Sequence, residues 1–371
     1  MNDLRYPFLD LGKVNADDAE ALKAAACRVI DSGRYVGGEE CEAFERELAA
    51  YTGTDYAIGV SNGLDALRLI LRAYILIGRL EPGDEVIVPA NTYIASVLAI
   101  TDAGLTPVFV DASYSTLNID TSLIEQAITS KTKAIMTVHL YGRPAYDETM
   151  RRLVDKYNLL LIEDNAQAIG ADFAGVKTGA LGHAAAFSFY PTKNIGAIGD
   201  AGAVTTNDAE LAGAVRALAN YGSDKRYHNI YAGFNCRLDP IQAAFLRVKL
   251  AGIDCEAARR RQLVSVYNQF ICNDLIGKPL IESPDNSVWH QYVVKVTDRE
   301  HFRNYLTANG VGSDVHYAVP PYKQPCYSRY AKLQFPITER IAAEVVSLPT
   351  SKSTSLSDAE AIAGIINSYK I

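Results

Sequence analysis

No stretch of this chain approaches the ~20 consecutive apolar residues that crossing a bilayer requires, which argues against a membrane-spanning helix. The segment Met1 to Asp10 carries acids and lacks the apolar centre of a signal peptide, so the expected location is the cytoplasm. Cysteine is scarce as well. Cys27, Cys41, Cys236, Cys255, Cys272 and Cys326 show no CxxC spacing, which argues against a disulfide framework and a zinc site, so no metal is expected. They read as reduced thiols packed as small apolar groups. A surplus of positive charge is missing too. The formal net charge is -7, a poor footing for binding nucleic acid or an anionic membrane surface. One basic cluster, Arg259-Arg260-Arg261, has no interleaved aromatics and reads as the solvated face of a helix. Neither a Walker A loop nor GxGxxG occurs, so ATP and dinucleotide readings lack a motif. Internal repeats are also absent.

What is present is enough apolar material for a sizeable core. With 371 residues, 49% of them hydrophobic, the chain is expected to form a large domain over residues 1–245 and a smaller one over 246–371. Residues 16–32 predict an opening helix that ends at Gly33. Short apolar runs then recur at Tyr56–Val60, Glu85–Val88, Pro107–Val110, Ala134–Val138, Leu159–Ile162, Ala185–Phe189 and Ala203–Thr205. Segments of helical period separate them, at Asp65–Ile77, Ile94–Ala103, Ser122–Ile128, Asp147–Lys156 and Ala209–Ala219. Strands apolar on both faces and separated by helices predict a mostly parallel, seven-stranded sheet covered on both sides. Ligands of such sheets sit at the carboxyl ends of the strands. Beyond Leu238 the rhythm changes. A long helical stretch is expected from Asp239 to Cys272, with Gly252 as its only interior breaker. The runs Gln291–Val296, Phe302–Ala308, Thr338–Val346 and Asp358–Tyr369 then predict a small α/β unit holding a proline-rich loop at 320–325.

Four constellations sit where such a sheet would offer a site. Gly59 through Leu67 reads as a strand turning into a helix, whose free N–H groups and dipole favour a phosphate. Taken alone, it is equally an ordinary βα turn. Glu163-Asp164-Asn165-Ala166-Gln167 follows the run Leu159–Ile162, so Asp164 stands at a strand end where a buried charge needs a partner. A protonated pyridine nitrogen would be one, and a helix N-cap or a metal-binding acid reads as well. Ser188 and Lys193 lie in Phe187-Ser188-Phe189-Tyr190-Pro191-Thr192-Lys193, and Lys193 is 29 residues beyond Asp164. A desolvated lysine loses its proton readily and can hold an aldehyde cofactor as a Schiff base. By itself it reads as a surface lysine on a turn. The fourth stretch, Tyr221 to Asp239, is polar and aromatic, as binding loops often are.

Together these segments resemble the sugar aminotransferases of the DegT/StrS type. The matching pieces are Ser61 to Leu67, Pro89-Ala90-Asn91-Thr92-Tyr93, His139-Leu140-Tyr141-Gly142, Glu163 to Ala168, Phe187 to Asn194 and Gly233 to Leu238, in order and over nearly the full length. The resemblance implies an α/β fold of type I, the aspartate aminotransferase fold, with pyridoxal 5'-phosphate as cofactor. Lys193 would then hold the cofactor and shuttle a proton at the reacting carbon. Asp164 would pair with the pyridinium nitrogen, Gln167 would bond the ring hydroxyl and Tyr93 would stack on the ring. Ser188 and the backbone at Gly63 and Leu64 would bind the phosphate, joined by Asn235 of the neighbouring subunit in a homodimer. Relatives often have Ser-Gly-Thr where Asn62-Gly63-Leu64 stands, so Leu64 offers only its N–H. They also often have histidine where Tyr322 stands.

The resemblance extends to the reaction. The stretch Gly222 to Asn229 is similar to that of enzymes aminating C3 of dTDP-3-keto-6-deoxyhexoses in O-antigen or S-layer polysaccharide biosynthesis. L-glutamate would be the donor in a ping-pong cycle, with Tyr190, His228, His316 and Tyr317 as sugar-nucleotide contacts. Members that dehydrate instead carry histidine in place of Lys193, so lysine favours transamination. Three alternatives remain at this point. They are amination at C4 of a dTDP- or UDP-4-keto sugar, a regulator that keeps the fold without catalysis, and a cysteine desulfurase, for which only Cys326 lies in a suitable loop.

Overall fold

The apolar runs form one seven-stranded sheet in the computed structural model, which describes residues 4–282 and 285–371. Its first five strands are β1 (Tyr56–Val60), β2 (Glu85–Pro89), β3 (Thr106–Val110), β4 (Thr132–Val138) and β5 (Leu160–Asp164). After a small ribbon of β6 (Asp172–Phe173) and β7 (Val176–Lys177), β8 (Ala184–Ser188) and β9 (Gly202–Thr206) complete it. The order across the sheet is β1-β9-β8-β5-β4-β2-β3. All pairings are parallel except those of β9, which runs against both of its neighbours. Side chains alternate between the two covered faces. Val86, Ala134, Met136 and Ile162 enter one cluster, while Ile87, Ile135 and Leu161 enter the cluster on the opposite side.

Helices cover both faces. After α1 (Leu11–Ala16), α2 (Ala19–Ser32) and α3 (Glu39–Thr52), the chain alternates with the strands through α4 (Gly63–Leu76), α5 (Ile94–Asp102), α6 (Ile124–Ala127), α7 (Glu148–Tyr157) and α8 (Ala209–Ala219). α4, α5 and α8 bury their apolar stripes on one face, and α6 with α7 lie on the other. Aspartate and asparagine caps start several of them. Asn62 Oδ1 accepts from Asp65 N at 2.8 Å, and Asp147 Oδ1 from Met150 N at 2.8 Å.

Two sequence expectations are corrected. The stretch from Asp239 to Cys272 is not one helix but two, α9 (Pro240–Leu250) and α10 (Ile253–Phe270), separated at Ala251-Gly252. Leu246 and Leu250 pack into the core of the large sheet, whereas Leu263, Val264 and Tyr267 belong to the second core. The break redirects the chain from one core to the other, at the residue least costly to remove from a helix. The basic cluster is only in part a solvated face, since Arg259 is exposed but Arg260 is not. Arg260 is only 5% exposed, donating to Glu256 Oε1 at 3.0 Å and to the carbonyls of Trp289 (3.2 Å) and His290 (3.3 Å). It ties α10 to the segment lining the cavity described below. The polar stretch near 225 forms a short hairpin of β10 (Ser223–Lys225) and β11 (His228–Asn229).

The smaller unit pairs β12 (Tyr292–Lys295) antiparallel with β13 (Val345–Leu348). The helices α11 (Arg299–Ala308) and α13 (Leu356–Asn367) pack with α10 around its core, and α12 (Pro336–Glu344) leads directly into β13. Among the described residues, no helix is long and apolar enough to cross a membrane.

Candidate active site

A cavity of about 660 Å³ opens where β5 and β8 end, between the large sheet and residues 314–317 and 350–351. This is the side of a parallel sheet where ligands belong. One corner of the cavity is built for an anion. Gly63 begins α4, and a Cβ placed on it would lie 2.6 Å from Ser188 Cβ. Gly202 opens β9 with a backbone so close that a Cβ would meet the Asn62 carbonyl carbon at 2.4 Å. Two glycines thus press the N-terminus of α4 onto the end of β8. Free N–H groups, the helix dipole and the Ser188 hydroxyl face one small volume. Asp65 braces the turn from behind, accepting from Ser61 Oγ (2.5 Å), Asn62 Nδ2 (2.9 Å) and Arg68 (2.8 Å). Gly63→Ala is expected to force α4 and Ser188 apart. Cofactor should then bind at least tenfold more weakly in equilibrium dialysis, about 1.4 kcal/mol, within the usual cost of overpacking.

Across the cavity, two ionisable groups face each other. Burial pulls the Lys193 ammonium down to about 8, against the opposing pull of the Asp164 carboxylate. Burial also raises the Asp164 carboxyl above the ordinary range, although Ser96, the Ala166 N–H, Lys193 and His139 all favour its anion. Ser96 Oγ donates to Asp164 Oδ2 at 2.8 Å and Ala166 N to Oδ1 at 3.2 Å. An acid so placed is best satisfied by a cation brought into the cavity. A pH dependence follows. The lysine is lowered, so the reactive free amine accumulates as pH rises through about 8. Capture of an added aldehyde by this amine should therefore accelerate from pH 6 to 9 with a midpoint near 8, followed by stopped-flow absorbance.

The remaining wall is aromatic and polar. Gln167 Oε1 accepts from Tyr141 N at 2.6 Å, and its Nε2 donates to Tyr317 OH at 3.1 Å. The Tyr317 ring stands 5.1 Å from that of Tyr93, itself exposed at the head of α5. Tyr190, Leu64 and His316 also line the cavity. His316 Nδ1 lies 2.8 Å from Ser347 Oγ, and burial holds the ring below the ordinary histidine range. Tyr322 is withdrawn from the cavity. It packs among Phe109 and Phe335, with its hydroxyl on Glu339 at 3.1 Å.

The structure thus brings together Gly63, Leu64, Tyr93, Asp164, Gln167, Ser188, Tyr190, Lys193, His316 and Tyr317. It does not bring His228 or Asn235 to them. His228 is exposed on the β10–β11 hairpin, 2.6 Å from Asp224, and Asn235 is exposed opposite Asn220. Sequence reasoning missed Thr92 and Ser96, which form the chain Thr92–Ser96–Asp164, with 2.9 Å between the two hydroxyl oxygens. The available signal was Ser96 itself, a polar side chain on the otherwise apolar buried face of α5. Among the described residues, no group of three or more histidine, cysteine or acidic side chains is placed to hold a metal.

An amine poised to lose its proton, a buried acid awaiting a cation, an aromatic cover and a phosphate cradle are the fittings of a pyridoxal-phosphate enzyme on an α/β sheet. Residues 16–367 match the DegT/DnrJ/EryC1/StrS aminotransferase family, and the chain belongs to it. It is 49% identical to the dTDP-3-amino-3,6-dideoxy-alpha-D-galactopyranose transaminase of Aneurinibacillus thermoaerophilus, over 98% of this chain and 99% of that protein. It is 45% identical to the dTDP-3-amino-3,4,6-trideoxy-alpha-D-glucose transaminase of Streptomyces venezuelae, over 93% and 91%. Among solved structures, S. venezuelae DesV in complex with a ketimine intermediate superposes with a TM-score of 0.94 at 43% identity, covering 98% of each chain. The protein is an aminotransferase, and pyridoxal phosphate is its cofactor.

Proposed function

We propose that the chain moves an amino group from L-glutamate to C3 of a dTDP-3-keto-6-deoxyhexose, yielding a dTDP-3-amino-3,6-dideoxyhexose. The observation that carries this reading is Lys193, an amine with its proton affinity lowered to about 8, opposite Asp164 in one cavity. The names of the two relatives support the sugar nucleotide and the carbon. Pyridoxal phosphate supplies, when bound, the electron sink that lets an amino group change carbons. Lys193 Nζ holds the cofactor at rest and afterwards carries the proton to and from the carbon being aminated. Asp164 would pair as an anion with the ring nitrogen, its charged form favoured by Ser96 and the Ala166 N–H. Gln167 would take the ring hydroxyl, Tyr93 would cover the ring, and Ser188 with the Gly63 and Leu64 backbone would bind the phosphate.

In this reading residues 1–245 carry the cofactor, and 246–371 bring His316 and Tyr317 over the sugar. The active unit is a homodimer in the cytoplasm, serving O-antigen or S-layer polysaccharide synthesis. The hairpin supports a partner. Tyr227 on it is 87% exposed, with Tyr221, Ile230 and Tyr231 also open to solvent. Its His228, together with Asn235, then serves the neighbouring subunit's cavity. The deciding experiment supplies glutamate and several keto-sugar nucleotides and identifies the product by mass and NMR. Amination of a 4-keto sugar with none at a 3-keto sugar would sink the assignment.

A further inference from the structure

Glu163 stands beside Asp164 but takes no part in the cavity. The period of a strand sends consecutive side chains to opposite faces, so Glu163 enters the side of the sheet away from Ser96. There it is fully enclosed and collects four donors. His139 Nε2 (2.8 Å) and Gly179 N (2.8 Å) reach Oε2, and Leu181 N (2.9 Å) and Gly182 N (2.8 Å) reach Oε1. The three backbone groups can only donate. His139 Nδ1 accepts from Ala145 N at 2.9 Å, so the ring proton lies on Nε2 and donates as well. Four donors on two oxygens are a complete shell for a carboxylate, and for nothing else of that shape.

These contacts lead back to the cofactor side by two routes. The His139 backbone N donates to the Asp164 carbonyl at 3.1 Å, holding the end of β5. Two residues on, Tyr141 N donates to Gln167 Oε1. Glu163 therefore grips the segment that orients Gln167 and the strand end that carries Asp164. Its loop partners are pinned too, since Thr205 Oγ1 donates to the Gly179 carbonyl at 2.7 Å.

We infer that Glu163 is a positioning residue for the cofactor. It is a fixed anion behind Asp164 that sets the register of Asp164 and Gln167 against the ring. This rests on Asp164 and Gln167 being cofactor contacts. Glu163→Gln keeps the size but turns an amide NH₂ toward at least one N–H, and it removes the charge. With the cofactor bound, losing a nearby anion lowers the affinity of the site for protons.

The test compares the two holoenzymes by absorbance titration and steady-state kinetics. E163Q is expected to shift the pH midpoint of the visible cofactor band downward. Its kcat should fall roughly 10- to 100-fold, the usual cost of freeing a group that orients a reacting one. KM for glutamate and for the keto sugar should stay within about threefold. A purely structural role would lower the melting temperature and leave the midpoint of the loaded fraction in place, which overturns the inference. Should E163Q fail to fold, H139Q takes its place. It keeps a donor for Glu163 but frees the 139–142 segment from Ala145, and an unchanged kcat there also overturns it. A wild-type protein with no titrating visible band would instead sink the reading of Asp164 and Gln167, and this inference with it.

Discussion

Lys193→Ala is expected to abolish turnover, with a loss of about 10⁴-fold or more, because in the proposed function one side chain serves as both anchor and proton carrier. The structure supports so large an effect because, among the described residues, no second amine lines the cavity near Asp164. The other cation there, Arg260, is committed to Glu256 and to backbone carbonyls, and it cannot surrender a proton. Two measurements check the prediction. Borohydride should fix the mass of the cofactor onto the peptide containing Lys193 in the wild type and onto no peptide in the variant. Stopped-flow mixing with glutamate should show no change in the visible spectrum of the variant. Turnover surviving the substitution would remove Lys193 from the chemistry.

Asp164→Asn should lower kcat roughly 10²- to 10³-fold, the scale of deleting a preorganised electrostatic partner. The amide keeps the volume but not the charge. It also has one oxygen where the carboxylate offers two, so either Ser96 Oγ or Ala166 N meets an NH₂ group. Burial raises the acid, so in the proposed function its ionisation would be coupled to binding of the ring. The rise in melting temperature that pyridoxal phosphate brings should therefore shrink in the variant, as measured by calorimetry at several cofactor concentrations. A normal cofactor-dependent rise together with normal kcat would remove the charge pair from the account.

Much of this architecture could be read from local pattern. Each strand of the large sheet is a short apolar run closed by turn residues, and both faces are buried, so the runs stand out. The cavity residues at strand ends were legible for the same reason, since topology alone sends Asp164 and Ser188 to one edge. What escaped notice depends on distant partners or on a misleading composition. α3 hides a narrow stripe of Cys41, Phe44 and Leu48 among five glutamates, so its period is diluted. The partners Ser96 and Asp164 lie 68 residues apart and carry no shared local signal. Arg260 looked like surface because three cations in a row usually are, and it is buried by distant segments, residues 289–290 and Thr350, folding over α10. The split near Gly252 was marked by the glycine, but the need for it comes from two cores that a sequence window cannot see.

β5 is a strand whose two edges of meaning lie back to back. Because its side chains alternate, parity decides which acid meets the four-donor seat and which meets the cofactor cavity. Deleting or inserting one residue between Leu160 and Glu163 would swap the faces the two acids enter, leaving at least one of them away from its seat. A change of two residues would restore the sense but shift the depth by about 6.6 Å, at 3.3 Å of rise per residue. Length changes are therefore forbidden here by chemistry on both sides at once. The tolerant places for insertion are the exposed turns that precede the strand.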